Sequence, residues 1–330
     1  MRVGLDVYTI SSLKLDPFEM LAFVRDHGLD GIQFGGIRGL SEPLDAGRLR
    51  EIRAGADEMG LYSYVSTSTC NPHQARGSLE DHLVWLQEEV EAAAACGWHE
   101  LHSGLGGLTE RYEHPVRWPQ HMADAAELIR KLGPVLRQHS SRINLETHGD
   151  TSTFELVRLV EDAGPDIAGI CLDTANVLCQ AEDPVWAARR AAPYTHLTHL
   201  KDAIAFFIDT GFRRQTRPIG AGALDWQTLL PVLAEYSPDL PLSIEDHKMF
   251  FDFHVFDAHW LRLHPDLTRE ELARVMQFVW RCEKRIQDGD LSDPEVYERT
   301  PFVEELETRL CAGRDALREL VHRLGLGGKG

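Results

Sequence analysis

Four short motifs in the second half of the chain close apolar runs on side chains that can do chemistry. "INLETHGD" carries Glu146 and His148, "CLDTAN" carries Asp173, "HLTHLKD" carries His199 and Lys201, and "LSIEDH" carries Glu245 and His247. Residues two apart share one face of a β-strand. Leu145, Leu172, Leu200 and Ile244 keep the same phase in each motif and suit the layer that faces helices. Taken singly, each polar residue reads as a strand-end group hydrogen-bonded to a loop. Four in one phase aim Glu146, Asp173, His199 and Glu245 at a common point. Three carboxylates gathered without a cation repel, and at least one would have to stay protonated. A divalent ion removes that conflict, and these four residues are its expected ligands. Oxygen-rich ligation with one imidazole suits Mn²⁺ first, with Mg²⁺ or Co²⁺ as alternatives, over a thiolate-preferring ion. The remaining positions of an octahedral shell would take two substrate oxygens.

Such convergence needs a scaffold that brings strand ends together. The chain alternates strand and helix from "VGLDVYTI" to "LPLSIEDH", eight units joined mostly by short connections. That pattern predicts an α/β fold, a (β/α)8 TIM barrel, whose active site lies at the C-terminal ends of its strands. An open doubly wound sheet would need a phosphate-binding glycine loop after an early strand, and none is present. The expected division is a catalytic barrel over 1–250 and a helical extension over 251–330 packed on it. That extension could cover the barrel, lid its mouth, or dock another copy of the chain or a partner subunit. "AFFIDTGFRRQTRPIGAGAL" reads as a long irregular connection whose Arg213, Arg214 and Arg217 could bind a carboxylate or phosphate but read first as a solvated loop. Pro134 is expected to kink or break the fourth helix.

Composition narrows the classes. The 330 residues are 43% hydrophobic and 26% charged, ample for a full core, and the net charge is −18. That charge disfavours a nucleic-acid partner. Neither a signal peptide nor an apolar run long enough for a membrane span is apparent. Six cysteines without a C-x-x-C pair read as free thiols in a reducing cytoplasm.

"LETHGD", "CLDTANVL", "THLKDA", "IGAGALDW" and "LSIED" together resemble the motif series of the xylose isomerase-like barrel superfamily, the sugar isomerases and epimerases. The resemblance covers roughly the first three quarters of the chain, the length such a barrel takes. It implies Glu146, Asp173, His199 and Glu245 as metal ligands, with the two glutamates also exchanging a proton with the substrate carbon. Many relatives carry a histidine where this chain has Asn176, so hydroxyl recognition survives there and proton transfer does not. The E-x-H arrangement of Glu146 and His148 resembles the branch that handles keto-sugars, including catalytic subunits of C-glycoside deglycosidases.

A chelated carbonyl and neighbouring hydroxyl acidify the C–H between them and stabilise a metal-bound enediolate. Returning the proton to the other face epimerises, returning it to the next carbon isomerises, and losing a β-substituent eliminates. The expected function is a divalent-metal-dependent sugar isomerase or epimerase with Glu146, Glu245 and His148 as catalytic groups. The alternative is a lyase of the same fold, a keto-polyol dehydratase or a 3-keto-C-glycoside deglycosidase subunit, with His148 as base. Asn176, Lys201, His247 and His102 are the expected substrate contacts. Lys201 reads equally as an ion-pair partner of Asp202 or a nearby glutamate. An abasic-site nuclease on this barrel would need more histidine ligands and a basic groove. A barrel that binds carbohydrate without chemistry would not need the whole ligand set.

Overall fold

A computed structural model describes residues 1–327 apart from positions 76 and 108. Its strands are β1 (Arg2–Asp6), β2 (Gly31–Gly36), β3 (Tyr62–Ser66), β4 (Glu100–Ser103), β5 (Arg142–Glu146), β6 (Ala168–Asp173), β7 (Thr195–His199), β8 (Asp202–Ile208), β9 (Gly211–Arg217), β10 (Pro241–Ile244) and β11 (Phe250–Phe253). Eight of them form one parallel sheet in the order β10-β1-β2-β3-β4-β5-β6-β7. The ring closes between β7 and β10 through a single bridge, Leu200 to Ile244. There Leu200 donates its N–H to the Ser243 carbonyl at 2.7 Å, and Glu245 donates to the Leu200 carbonyl at 3.1 Å. The seam of the barrel therefore lies between "THLK" and "IED". The expected (β/α)8 TIM barrel is the observed fold.

Local sequence sets these elements. Asp16, Ser78 and Ser152 cap their helices through capping boxes, as spacing alone suggests, and Asp225 caps the helix Trp226–Tyr236. The barrel interior at its N-terminal end is filled by the ring of Tyr62, buried against β1 and β2. A Cβ on Gly31 would meet that ring at 2.2 Å, and one on Gly4 would meet the Tyr62 hydroxyl at 2.2 Å and the Gly31 carbonyl at 2.3 Å, so both positions admit only glycine. Pro134 does not break the fourth helix, which runs from Trp118 to Gln138.

The expected long loop is mostly strand. β8 and β9 form an antiparallel hairpin over the two-residue turn Asp209–Thr210, and β11 adds a third strand to it. The aromatic and β-branched residues of "IAFFI" and the glycine of "DTGF" carry the hairpin signal. The arginines that follow obscure it. Arg214 and Arg217 are buried instead of solvated, and Arg213 pairs with Asp252 of β11 at 2.5 and 2.7 Å.

The proposed boundary at residue 250 falls within β11. Beyond it, helix Arg269–Gln287 lies on β8, and helix Phe302–Arg323 lies on β1 and β10. The latter takes the place of the barrel's eighth helix. Its Arg309 grips Asp246 with two bonds, at 2.8 and 2.6 Å, and both side chains are 5% exposed. Among the described residues no helix is long and apolar enough to cross a membrane. Removing one partner of such a pair strands the other charge in the interior. Arg309→Leu is expected to lower folding stability by about 3 kcal/mol, read from denaturant or thermal melts, with Arg309→Lys intermediate.

Candidate functional site: a buried carboxylate–imidazole cluster

The strand ends converge. Glu146, Asp173, His199 and Glu245 each offer one donor atom within 4.8 Å of the others, and all four are buried. His199 Nδ1 is 3.1 Å from Glu146 Oε1 and 2.8 Å from Glu245 Oε2. Yet neither Nδ1 nor Glu245 Oε2 completes a hydrogen bond. Lone pairs brought this close repel unless a proton or a cation lies between them.

The contact at the other ring nitrogen favours one tautomer. His199 Nε2 is 2.6 Å from Gln33 Nε2, while Gln33 Oε1 is buried without a partner. Two nitrogens cannot both donate there. Turning the amide lets His199 Nε2–H donate to Gln33 Oε1, and Nδ1 is then the nitrogen free to ligate. Burial works against a charge on His199, but Cys171, Glu146, Asp6 and Glu245 together raise the ring well above the usual imidazole range. The same negative field draws a metal cation.

Charge counting agrees. Lys201 Nζ lies 2.5 Å from Asp173 Oδ2 and 2.8 Å from Glu245 Oε1. Burial alone would raise Glu245, but Lys201 and His199 hold it far below the usual carboxylate range. Glu146 is also held low despite its burial, by His199 and His102. Counting the ligand set with His199 in the neutral form a ligand requires, three carboxylates against one ammonium leave two negative charges, the complement of a divalent ion. A second group of possible ligands, His102, Cys171 and His199, shares the same imidazole. Burial pushes the Cys171 thiol up to about 11, which favours the oxygen-rich set.

Glu146, His199 and Glu245 form the floor of a cavity of about 460 Å³ lined also by Asp6, Tyr8, Ser66, His102, His148, Asn176, Lys201, Arg214, His247 and Met249, while Asp173 is fully buried and does not line it. The four expected substrate contacts differ in what they do. His102 spans Ser66 and Glu146, at 2.9 and 3.2 Å, and so orients that carboxylate. Asn176 donates its side-chain amide to Asp173 Oδ2 at 2.6 Å. Lys201 bonds Asp173 and Glu245, not Asp202, which instead accepts from Trp226 Nε1 and from backbone amides. His247 alone keeps an unpartnered ring atom, Nδ1. Burial, then the Lys201 charge, lowers His247 to about 3, so its ring is neutral. His148 lies just past β5 and donates Nδ1–H to the Gly107 carbonyl at 2.8 Å, which leaves Nε2 as its free nitrogen. Burial opposes protonation of His148, but Glu146, Asp150 and that carbonyl raise it.

Sequence reasoning missed Asp6 and Gln33, and it favoured a solvated loop for Arg214, which is buried. Asp6 and Gln33 end or line the first two strands and were legible by the strand-end rule applied to "VGLDVY" and "GIQF". Burial, partly offset by His199, pushes Asp6 up to about 6.

The description of the xylose isomerase-like TIM barrel matches residues 21–274, and the chain belongs to that family. The 3-oxo-isoapionate decarboxylase of Pectobacterium atrosepticum is 24% identical over 238 residues, 69% of this chain and 79% of that protein. The D-psicose 3-epimerase of Clostridium cellulolyticum H10, solved with D-tagatose, superposes with a TM-score of 0.65 at 14% identity, covering 97% of this chain and 99% of that one. The 3-keto-D-glucoside 4-epimerase of E. coli superposes with a TM-score of 0.56 at 14% identity, covering 84% of this chain and 99% of that one. At such identities these two structures speak to the fold. Because Gln33 sets the His199 tautomer, Gln33→Leu is expected to weaken Mn²⁺ binding by about 10–100-fold, measured by calorimetric titration of the ion.

Proposed function

We propose that this protein is a divalent-metal-dependent sugar isomerase or epimerase that moves a proton at the carbon beside a carbonyl. The observation that carries the reading is the buried set of Glu146, Asp173, His199 and Glu245, three of which, Glu146, His199 and Glu245, line a sugar-sized cavity. Mn²⁺ fits that donor set best, with Mg²⁺ or Co²⁺ as alternatives. Held there, the ion supplies Lewis-acid polarisation of a carbonyl and its neighbouring hydroxyl.

The chain supplies the proton transfers. Glu146 and Glu245 flank His199 and both stay ionised, so one can take a proton from the substrate carbon and the other can return it. Lys201, shared by Asp173 and Glu245, holds those carboxylates in place and steadies negative charge that develops on the substrate. His247 meets a substrate hydroxyl through its free nitrogen. His102 and Asn176 act by orienting Glu146 and Asp173. A membership in the keto-sugar branch of the family is supported by the E-x-H pair, with His148 Nε2 free beside Glu146.

The second reading is a lyase, and it too rests on His148. An imidazole with one nitrogen tied to a carbonyl, and made more basic by Glu146 and Asp150, can exchange a proton in elimination or in breakdown of a keto acid or keto-glycoside. The decarboxylase relative acts in that chemical class. The six free cysteines support a reducing, cytoplasmic setting. Trp280, 61% exposed, and Met276 on helix Arg269–Gln287 support association with another chain through that face.

The test is turnover of ketoses, keto-polyols and 3-keto-glycosides with Mn²⁺ in D₂O, followed by NMR and mass spectrometry. Deuterium in an epimerised or isomerised sugar supports the lead reading. Release of water, CO₂ or an aglycone without such exchange supports the lyase. Under the lead reading Glu146→Gln lowers kcat by about 10²–10⁴, with metal content checked separately, and His148→Asn lowers it less. The reverse order of losses would move the assignment to the lyase.

A further inference from the structure

Arg214 stands apart from the other buried arginines. Arg111 pairs with Glu155 and Arg309 with Asp246; Arg217 also lacks an ion pair and leaves Nε unpartnered, but it donates to Ser292 and Gln215, lies over the Tyr297 ring and does not line the cavity. Arg214 is 1% exposed, yet among the described residues no carboxylate lies within ion-pair distance of it. Its Nη2 donates to the neutral Asn176 Oδ1 at 3.0 Å and to the thiol of Cys179 at 3.3 Å. Its Nε and Nη1 are buried and donate to nothing. A buried cation with no counter-charge is unfavourable, and unsatisfied N–H groups add to it.

The position says where the counter-charge comes from. Arg214 helps line the same cavity as Glu146, His199 and Glu245. Two hydrogen bonds, Arg214 to Asn176 and Asn176 to Asp173, tie it to the edge of the cluster. The cavity's other fixed cation, Lys201, is already neutralised by Asp173 and Glu245. A ligand seated on the cluster thus meets a free guanidinium beside Asn176. Guanidinium N–H groups match a planar carboxylate better than a hydroxyl, because the bonds are charge-assisted on both sides.

We propose that Arg214 anchors a carboxylate of the substrate, so that this cavity takes an acidic keto-sugar in preference to a neutral one. The inference rests on the reading of the cavity as a sugar site, and it narrows the substrate class.

The experiment is calorimetric titration of the Mn²⁺-loaded protein with two matched pairs. D-fructose is compared with 2-keto-D-gluconate, and L-sorbose with 5-keto-D-gluconate; each acid differs from its sugar by oxidation of one terminal carbon. D-fructose 1-phosphate is the further anion. At least one acid is expected to bind about tenfold or more tighter than its neutral partner. Arg214→Met is expected to erase that preference, read as the ratio of the acid's Kd to its neutral partner's so that any general loss of binding cancels. Arg214→Lys retains part of the preference, and it carries the test if the methionine variant does not fold by circular dichroism. The proposal is overturned if neither acid out-binds its partner, if the preference survives in Arg214→Met, or if the phosphate is preferred over both acids. Deuterium exchange on the same samples separates the two readings. Exchange without acid preference removes the carboxylate anchor alone. Acid preference with no exchange on any sugar removes the isomerase reading and leaves the anchor in place.

Discussion

Like charge crowded into the interior is the constraint on which the rest of this structure depends. Glu146, Asp173 and Glu245 come from three different strands and meet around one imidazole, away from water. The chain itself offsets one of those charges, through Lys201. The barrel also closes at this point, since the Leu200–Ile244 bridge sits between His199 and Lys201 on one side and Glu245 on the other. Barrel closure and site assembly are therefore the same event, and the repulsion has to be offset for the ring to shut. The Asp246–Arg309 pair, one residue beyond Glu245, ties the last long helix to that seam.

Around the cluster, polar residues fall into two groups. His102, Asn176 and Gln33 spend their hydrogen bonds on Glu146, Asp173 and His199 and so fix the aim of those donors. His148, His247 and Arg214 line the cavity and keep nitrogen atoms without protein partners. This division separates preorganisation from recognition. The donor set is held by short bonds from neighbouring strands, and the walls that meet a ligand come from loops and from the β8–β9 hairpin. Variation in those walls changes what is bound while the floor keeps its chemistry, as expected for barrels that host many reactions.

Much of the fold could be read from the linear chain. The alternation of apolar strands with capped amphipathic helices specifies a parallel α/β barrel, because each element's periodicity is local. Glu146, Asp173, His199 and Glu245 were legible because strand phase is strict at two residues, so a shared phase predicts a shared face. The β8–β9 hairpin was not legible, since its arginines gave a strand the composition of a solvated loop. The eighth helix was hidden by its distance: β11 and other helices intervene before Phe302–Arg323 returns to β1 and β10.

By itself, then, the sequence determined which side chains face inward at each strand end, and so the donor types that meet there. Pairing was decided only in three dimensions. Lys201 has Asp202 next to it in the chain yet bonds Asp173 and Glu245, and His102 turns to Glu146. Arg214 is left without an anion although the chain is strongly acidic. Side-chain phase is a property of a single strand, whereas an ion pair depends on which strands become neighbours and how deep each partner is buried. That is why the donor types of the floor were present in the motifs and the burial of Arg214 without an anion was not.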